Sequence, residues 1–203
     1  PSAGRWPDAA GWIPLPSGRL VVMLIAYYLA LPNLDIAVAA AAYYTLPLFI
    51  TLFSALLIGD RISRLGWFSV ALGFAGVMLV LRPSAGDFNL YALLPLFSAV
   101  LYALSMILTR SKCRAAHPIM LAIALNTAFV VVGAGATVAI TMLGLGQTAG
   151  FMVGPWSVMG GAEWLSMLLL ATALLIGSVG AAIAYQNGPP AVVGVFDFAY
   201  VGF

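Results

Sequence analysis

The sequence predicts an all-α integral membrane protein, and three observations carry that reading. The chain of 203 residues is 64% hydrophobic and only 7% charged, whereas a soluble domain carries about 25% charged residues. Its apolar residues form long continuous runs instead of alternating with period two, so helices are expected and a membrane β-barrel is not. With one exception, the charges lie between the runs.

Taken in order, six uncharged apolar runs cover 20–31, 36–58, 65–81, 90–109, 118–145 and 164–185. A seventh, 191–203, contains Asp197. A spanning helix needs roughly 20 apolar residues. Runs two to six meet that length, the third only just. The first is short and must borrow length from 12–16 or tilt little. The last has 13 residues, which is short of a span. Six helices and most of a seventh are expected. The polar, Pro/Gly-rich stretch PSAGRWPDAAGWIPLPSG at 1–18 reads as a loop.

The loops differ in charge. Arg5 and Arg19 precede the first span, Arg61 and Arg64 follow the second, and Arg110, Lys112 and Arg114 follow the fourth. Arg82 follows the third, and neither the Asp35 loop nor 145–163 holds a base. With alternating loops, seven bases fall on one side and one on the other, and the positive-inside rule makes the seven-base side cytoplasmic. The turn at 186–190 then lies on that side. All five tryptophans sit in loops or near span ends, as interfacial anchors do.

Several classes of function are disfavoured. One cysteine, Cys113, permits no intrachain disulfide, and one histidine, His117, argues against a metal cluster. The net charge of +2 comes from loops and forms no nucleic-acid stripe. A membrane-embedded enzyme would need paired acid/base groups, a metal or an activated nucleophile. The spans offer one carboxylate and no histidine, so no catalytic residue is nominated. No phosphate-binding G-x-x-x-x-G-K-[ST] loop is present, and no cofactor is expected.

An internal repeat appears at an offset of 154 residues: ALPNLDIAVAAAAYYTLPLF (30–49) aligns with AYQNGPPAVVGVFDFAYVGF (184–203). Both segments are a span end, a tight turn and the start of the next span. The loop charges place the two turns on opposite sides, the pattern of an inverted-topology repeat with a site between the halves.

Several stretches resemble the drug/metabolite transporter superfamily, in particular the EamA-type ten-helix transporters. YYTLPLFITLFSALLIGDRISRLGWFSVALGFAGVMLVLRP (43–83) is similar to that family's fourth and fifth helices, with a mid-helix proline, a GER-like turn written here Gly59-Asp60-Arg61, and a G-x-x-G helix. YALLPLFSAVLYALSMILTRSK (91–112) resembles the sixth helix, and AIAYQNGPPAVVGVFDFAYVGF (182–203) the eighth helix, its turn and the start of the ninth. The resemblance implies a multi-helix bundle of two inverted-topology repeats. Residues 1–18 would be a cytoplasmic loop, 19–83 part of the first repeat (helices 3–5), and 89–203 part of the second (helices 6–9, the last cut short). It implies that two further helices and the end of the bundle lie outside this sequence. It also implies a multi-pass protein of the bacterial inner membrane that moves a small polar or amphipathic metabolite (amino-acid, amine or nucleoside-like) by alternating access. The expected partners are that solute, the lipid bilayer and, as an option, a second copy in a homodimer; nucleic acid is not among them. A membrane-embedded enzyme and a non-transporting membrane scaffold are the alternatives.

Asp197 leads the candidate residues. A carboxylate in hydrocarbon is costly unless it faces a cavity or a partner. If its helix begins near Pro190, Asp197 lies roughly 10 Å in, at about 1.5 Å rise per residue, too deep for a cap. It is read as a counterion for a cationic or amine-bearing solute or as the carrier of a coupled proton; a protonated carboxyl bonded to a neighbouring helix is the structural alternative. Tyr43 is its repeat counterpart, and Tyr200 follows it by three residues on the same face. With Tyr44 and Tyr102 they suit a pocket for a flat solute, each offering an apolar ring and one hydroxyl. Asn126 either reaches the cavity or bonds helix to helix. Pro47 and Pro95 are expected to kink their helices. Gly73-x-x-Gly76 and Gly177-x-x-x-Ala181 are expected to let helices pack closely. Asp60 and Arg61 read as a local ion pair or a helix-end contact, and His117 as a solvated loop residue.

Overall fold

The computed structural model describes residues 10–83, 89–143 and 159–201. Every regular element among them is helical. The first helix, α1, runs over Pro14–Ala30. Proline is tolerated in a first helical turn, where its missing N–H has no partner to lose. The first span therefore takes its extra length from 14–18, and the expected leading loop is shorter by that much.

The second span is built in pieces. Asp35 caps α2 (Ile36–Tyr43) by accepting the Ala37 N–H at 2.7 Å. The α-ladder stops at Tyr44 and Thr45, and α3 (Leu46–Phe53) resumes with Pro47 in its first turn. Thr45 Oγ1 donates to the Ala42 carbonyl at 2.6 Å, satisfying an acceptor that the break leaves over. A π-turn, Ser54–Ile58, then closes on Gly59, whose φ of +80° is a left-handed conformation that a Cβ would oppose. Asp60 accepts a hydrogen bond from Ser54 Oγ, which is the helix-end contact of the two expected roles.

Pro95 departs from expectation. It is the third residue of α5 (Leu93–Lys112), inside the turn where a proline costs no hydrogen bond, and α5 runs on without interruption. The remaining helices are α4 (Arg64–Leu81), α6 (Pro118–Met142), α7 (Gly161–Asn187) and the short α8 (Pro190–Val195). His117 is more than a solvated loop residue. It caps α6 by accepting the Ile119 N–H on Nδ1 at 3.3 Å. After Val195 the chain tightens into a 3-10 helix, Phe196–Val201.

Among the described residues, six stretches are long and apolar enough to cross a membrane: Pro14–Asn33, Ile36–Ile58, Arg64–Leu81, Leu90–Lys112, Pro118–Met142 and Gly161–Asn187. α5 is the central helix, packed on α1, α2, α3 and α7. Its fully buried Ala99 and Ala103 bring backbones close, and Leu20, Met23, Leu46, Ile50, Met106 and Tyr185 fill the space around them. The outer faces of α4, α6 and α7 expose Leu72, Val130, Leu168 and Ile176, as a lipid-facing surface requires.

Long-range contacts fix which helix ends lie together. Gln186 Nε2 donates to the Cys113 and Ala116 carbonyls, Arg110 donates to the Gln186 carbonyl, and the Lys112 ammonium sits 5.5 Å over the Trp12 ring. Asp60 and Arg61 face Pro189 and Val192 across a cleft. At the opposite end, Asn89 Nδ2 donates to the Asn33 carbonyl at 2.8 Å. The helix ends that bear Arg61, Arg110 and Lys112 are thus gathered on one face, away from the 31–35 turn, as the alternation of loop charge requires. The repeat also recurs in the element bounds. One helical stretch ends at Asn33 and the other at Asn187, and the next helices begin at Ile36 and Pro190; regular α geometry stops after Tyr43 and, two positions earlier in the alignment, after Val195.

Candidate functional site

Two close approaches hold the segment that carries Asp197. Gly194 packs on Ile50, where an added Cβ would meet Cδ1 at 3.1 Å. The Phe198 ring lies against Gly73 of α4, where a Cβ would stand 2.6 Å from Cε2, so no larger residue fits unless the ring moves. Between these anchors Asp197 turns toward α7. Tyr185 donates its hydroxyl to Asp197 Oδ2 at 3.0 Å.

Tyr185 is 2% exposed, and its hydroxyl also lies within hydrogen-bonding reach of Tyr102 on α5. Tyr43 stands close enough to Asp197 to feel its charge. The rings then continue away from the carboxylate, all edge-on: Tyr43 to Tyr102 at 6.5 Å, Tyr43 to Tyr27 at 5.2 Å, Tyr43 to Tyr44 at 6.2 Å and Tyr27 to Tyr28 at 6.1 Å. Such pairs contribute about 0.5–1.5 kcal/mol each beyond area burial. They join α1, α2 and α5 into one tyrosine layer beside Asp197.

A cleft of about 610 Å³ opens on this layer, with Asp197, Tyr185, Tyr102, Asn126, Ser178 and Phe129 among its walls. Gly177, Gly180, Ala181 and Ala184 of α7 form a smooth floor. No lysine, arginine or histidine is among the lining residues, so Asp197 has hydroxyl neighbours and no basic one. A smaller cavity of about 170 Å³, between α1, α5, α6 and α7, shares Tyr102, Leu125, Phe129, Ser178 and Ala181 with the cleft.

Of the residues nominated from sequence, Asp197, Tyr102 and Asn126 come together in the cleft, and Tyr43 is joined to it through its ring contact with Tyr102. Tyr44 belongs to the ring layer and not to the cleft wall. The Tyr200 side chain lies outside the described residues. Asn126 does both things expected of it: Nδ2 reaches Ser178 Oγ on α7 at 3.2 Å, and the residue lines the cleft. Gly177-x-x-x-Ala181 departs from expectation, because nothing lies near Gly177 and the pair floors the cleft instead of packing a helix. Sequence reasoning missed Tyr185, Ser178 and Phe129. None of the three left a local signal, since each is an ordinary residue of an apolar span.

Residues 15–82 match the EamA-like transporter family. Over that stretch the chain is similar to EamA-like transporters. Over 172 residues it is 28% identical to a riboflavin transporter of Rhizobium johnstonii, covering 85% of this chain and 52% of the relative. Over 181 residues it is 25% identical to the pseudopaline exporter CntI of Pseudomonas aeruginosa, covering 89% and 59%. A riboflavin transporter of Vibrio cholerae shares 40% identity over 63 residues, 31% of this chain and 21% of the relative. The chain spans about half the length of the longer-matching curated relatives. A solved crystal structure superposes with a TM-score of 0.68 at 24% identity, over 98% of this chain and 65% of the solved one, so the helical fold is shared. The EamA-like match covers α1 to α4. It therefore includes Tyr43 and Tyr44 but neither Tyr185 nor Asp197, and the site joins the matched part to the helices that follow.

Proposed function

We propose that the protein is a secondary transporter of the bacterial inner membrane that binds a small, flat, neutral or cationic solute at Asp197 and passes it across by alternating access. The observation that carries this reading is a carboxylate held by Tyr185 on an aromatic cleft whose lining contains no base. A charge placed there has few reasons to persist other than a ligand or a proton. The sign follows from magnitudes. At about 4 Å and an effective dielectric of about 20, two unit charges interact by about 4 kcal/mol, so an anionic solute meets a barrier that a cation or a neutral hydrogen-bond donor does not. Aromatic walls and a glycine–alanine floor favour a planar body, which riboflavin, the cargo named for two relatives, has. Amines, amino acids and nucleosides meet the same requirement in part. With no phosphate-binding loop in the sequence, either a gradient is the energy source or the protein is a facilitator.

The test is uptake by the full-length protein in proteoliposomes, with riboflavin as the neutral planar probe beside cationic and anionic dyes of similar shape. Saturable, protein-dependent uptake of the neutral or cationic probes is expected. No protein-dependent uptake of any of them, or a preference for the anion, overturns the proposal.

A further inference from the structure

We propose that the base-rich face is closed between α1, α5, α6 and α7 by a gate whose latch is Gln186; as a gate, it rests on the transport reading above. Gln186 is 3% exposed, and its side-chain amide nitrogen is bonded twice. Both N–H groups of Nε2 are spent on carbonyls of the α5–α6 turn, Cys113 at 2.7 Å and Ala116 at 2.8 Å. Its own main-chain carbonyl accepts from the Arg110 guanidinium at 2.5 Å. The end of α7 is thereby tied to a turn about seventy residues away in sequence.

Beneath the latch is a plug. Ile13, Cys113, Ala116, Leu121 and Ala182 form a small buried cluster of their own. The 170 Å³ cavity begins under it, at Leu121 and Ala182, and reaches Tyr102 and Phe129, which also line the Asp197 cleft. The cavity under the plug and the cleft at the carboxylate therefore share a wall. On the other side the cleft follows α7 from Tyr185 to Leu170, about 22 Å at 1.5 Å per residue, and so extends away from the base-rich face. Space on both sides of the site, with the route between α1, α5, α6 and α7 stopped by the plug, is the geometry of a carrier closed along that route; the cleft at Asp60 and Arg61 is a separate one.

The latch is also placed to sense the site. Tyr185 holds Asp197 and Gln186 holds the α5–α6 turn, on consecutive residues of one rigid helical turn. A solute that takes the place of the Tyr185 hydroxyl at Asp197 shifts the turn that carries the latch. Bound solute and an open gate are in this way linked by geometry.

Cys113 reports on the gate, because its thiol is part of the plug and fully buried. In proteoliposomes of the full-length protein, maleimide labelling at Cys113, read by mass spectrometry of its peptide, is expected to be slow. Gln186→Ala and Gln186→Glu should each label at least ten-fold faster, and from the base-rich face only. The glutamate variant keeps the size of the side chain and removes both N–H donors, so it carries the test if the alanine variant does not fold; circular dichroism checks both. The latch is overturned if wild-type Cys113 reacts as fast as an exposed thiol, or if the folded variants label as slowly as wild type. The readout needs no solute. Absent uptake with gated labelling would count against the transport reading, and uptake with ungated labelling against the latch.

Discussion

Asp197 was legible in the sequence because it is the one charge within an apolar run, and a charge in hydrocarbon requires an explanation. Its partner was not legible. A tyrosine in an apolar span is ordinary, and nothing in AYQN says that the chain folds Tyr185 back to within 3.0 Å of the carboxylate. The pair makes a specific prediction. Tyr185→Phe keeps the ring and removes the donor. A hydrogen bond to a charged group contributes about 1.5–3 kcal/mol, so the KM for the transported probe should change roughly ten-fold or more with the protein still folded. Uptake kinetics check this, and an unchanged KM would reduce Tyr185 to packing. Asn126 shows why a single polar residue in a span is hard to read: bonding Ser178 across helices and facing the cleft are compatible roles.

The helices themselves were read correctly from run length, and their irregularities only in part. Pro47 announced a break in the second span, and the structure breaks it just before, at Tyr44 and Thr45. Pro95 gave the same signal with no break, because the helix starts so close to it that no hydrogen bond is lost. The small-residue patterns were equally ambiguous. Gly73 receives the Phe198 ring, while Gly177 faces open space; a flat helix face suits a packed neighbour and a cleft floor alike. Gly73 therefore has a sharp test. Gly73→Ala forces the ring aside, an overpacking cost of about 1–3 kcal/mol, and should lower thermal stability and weaken uptake through displacement of the neighbouring Asp197. Adding Phe198→Leu should recover both. A Gly73→Ala protein as stable and active as wild type would show that the contact does not position the site. The 3-10 tightening after Val195 had no sequence signal, since it coincides with that tertiary contact and not with a local breaker.

For the molecule as a whole, the alternation of the helix ends was the most legible property. Seven bases on one side of alternating loops set it, and the hydrogen bonds joining 110–116 to Gln186 at one end and Asn33 to Asn89 at the other agree with that alternation. Single cysteines at the exposed positions Arg114 and Ile36 should react with a membrane-impermeant maleimide from opposite faces, Arg114→Cys from the cytoplasmic one. Reaction of both from the same face would break the topology. The site was less legible than the topology because it is assembled from α2, α5, α6, α7 and the segment after α8, and no local stretch contains it. The measurement that bears most directly on it compares riboflavin uptake by the full-length wild-type protein and its Asp197→Asn variant in the same proteoliposomes. The variant keeps the shape and loses the charge. Uptake that falls at least ten-fold, with the helical content unchanged, is the predicted result; equal uptake by the two would contradict a transport site at Asp197.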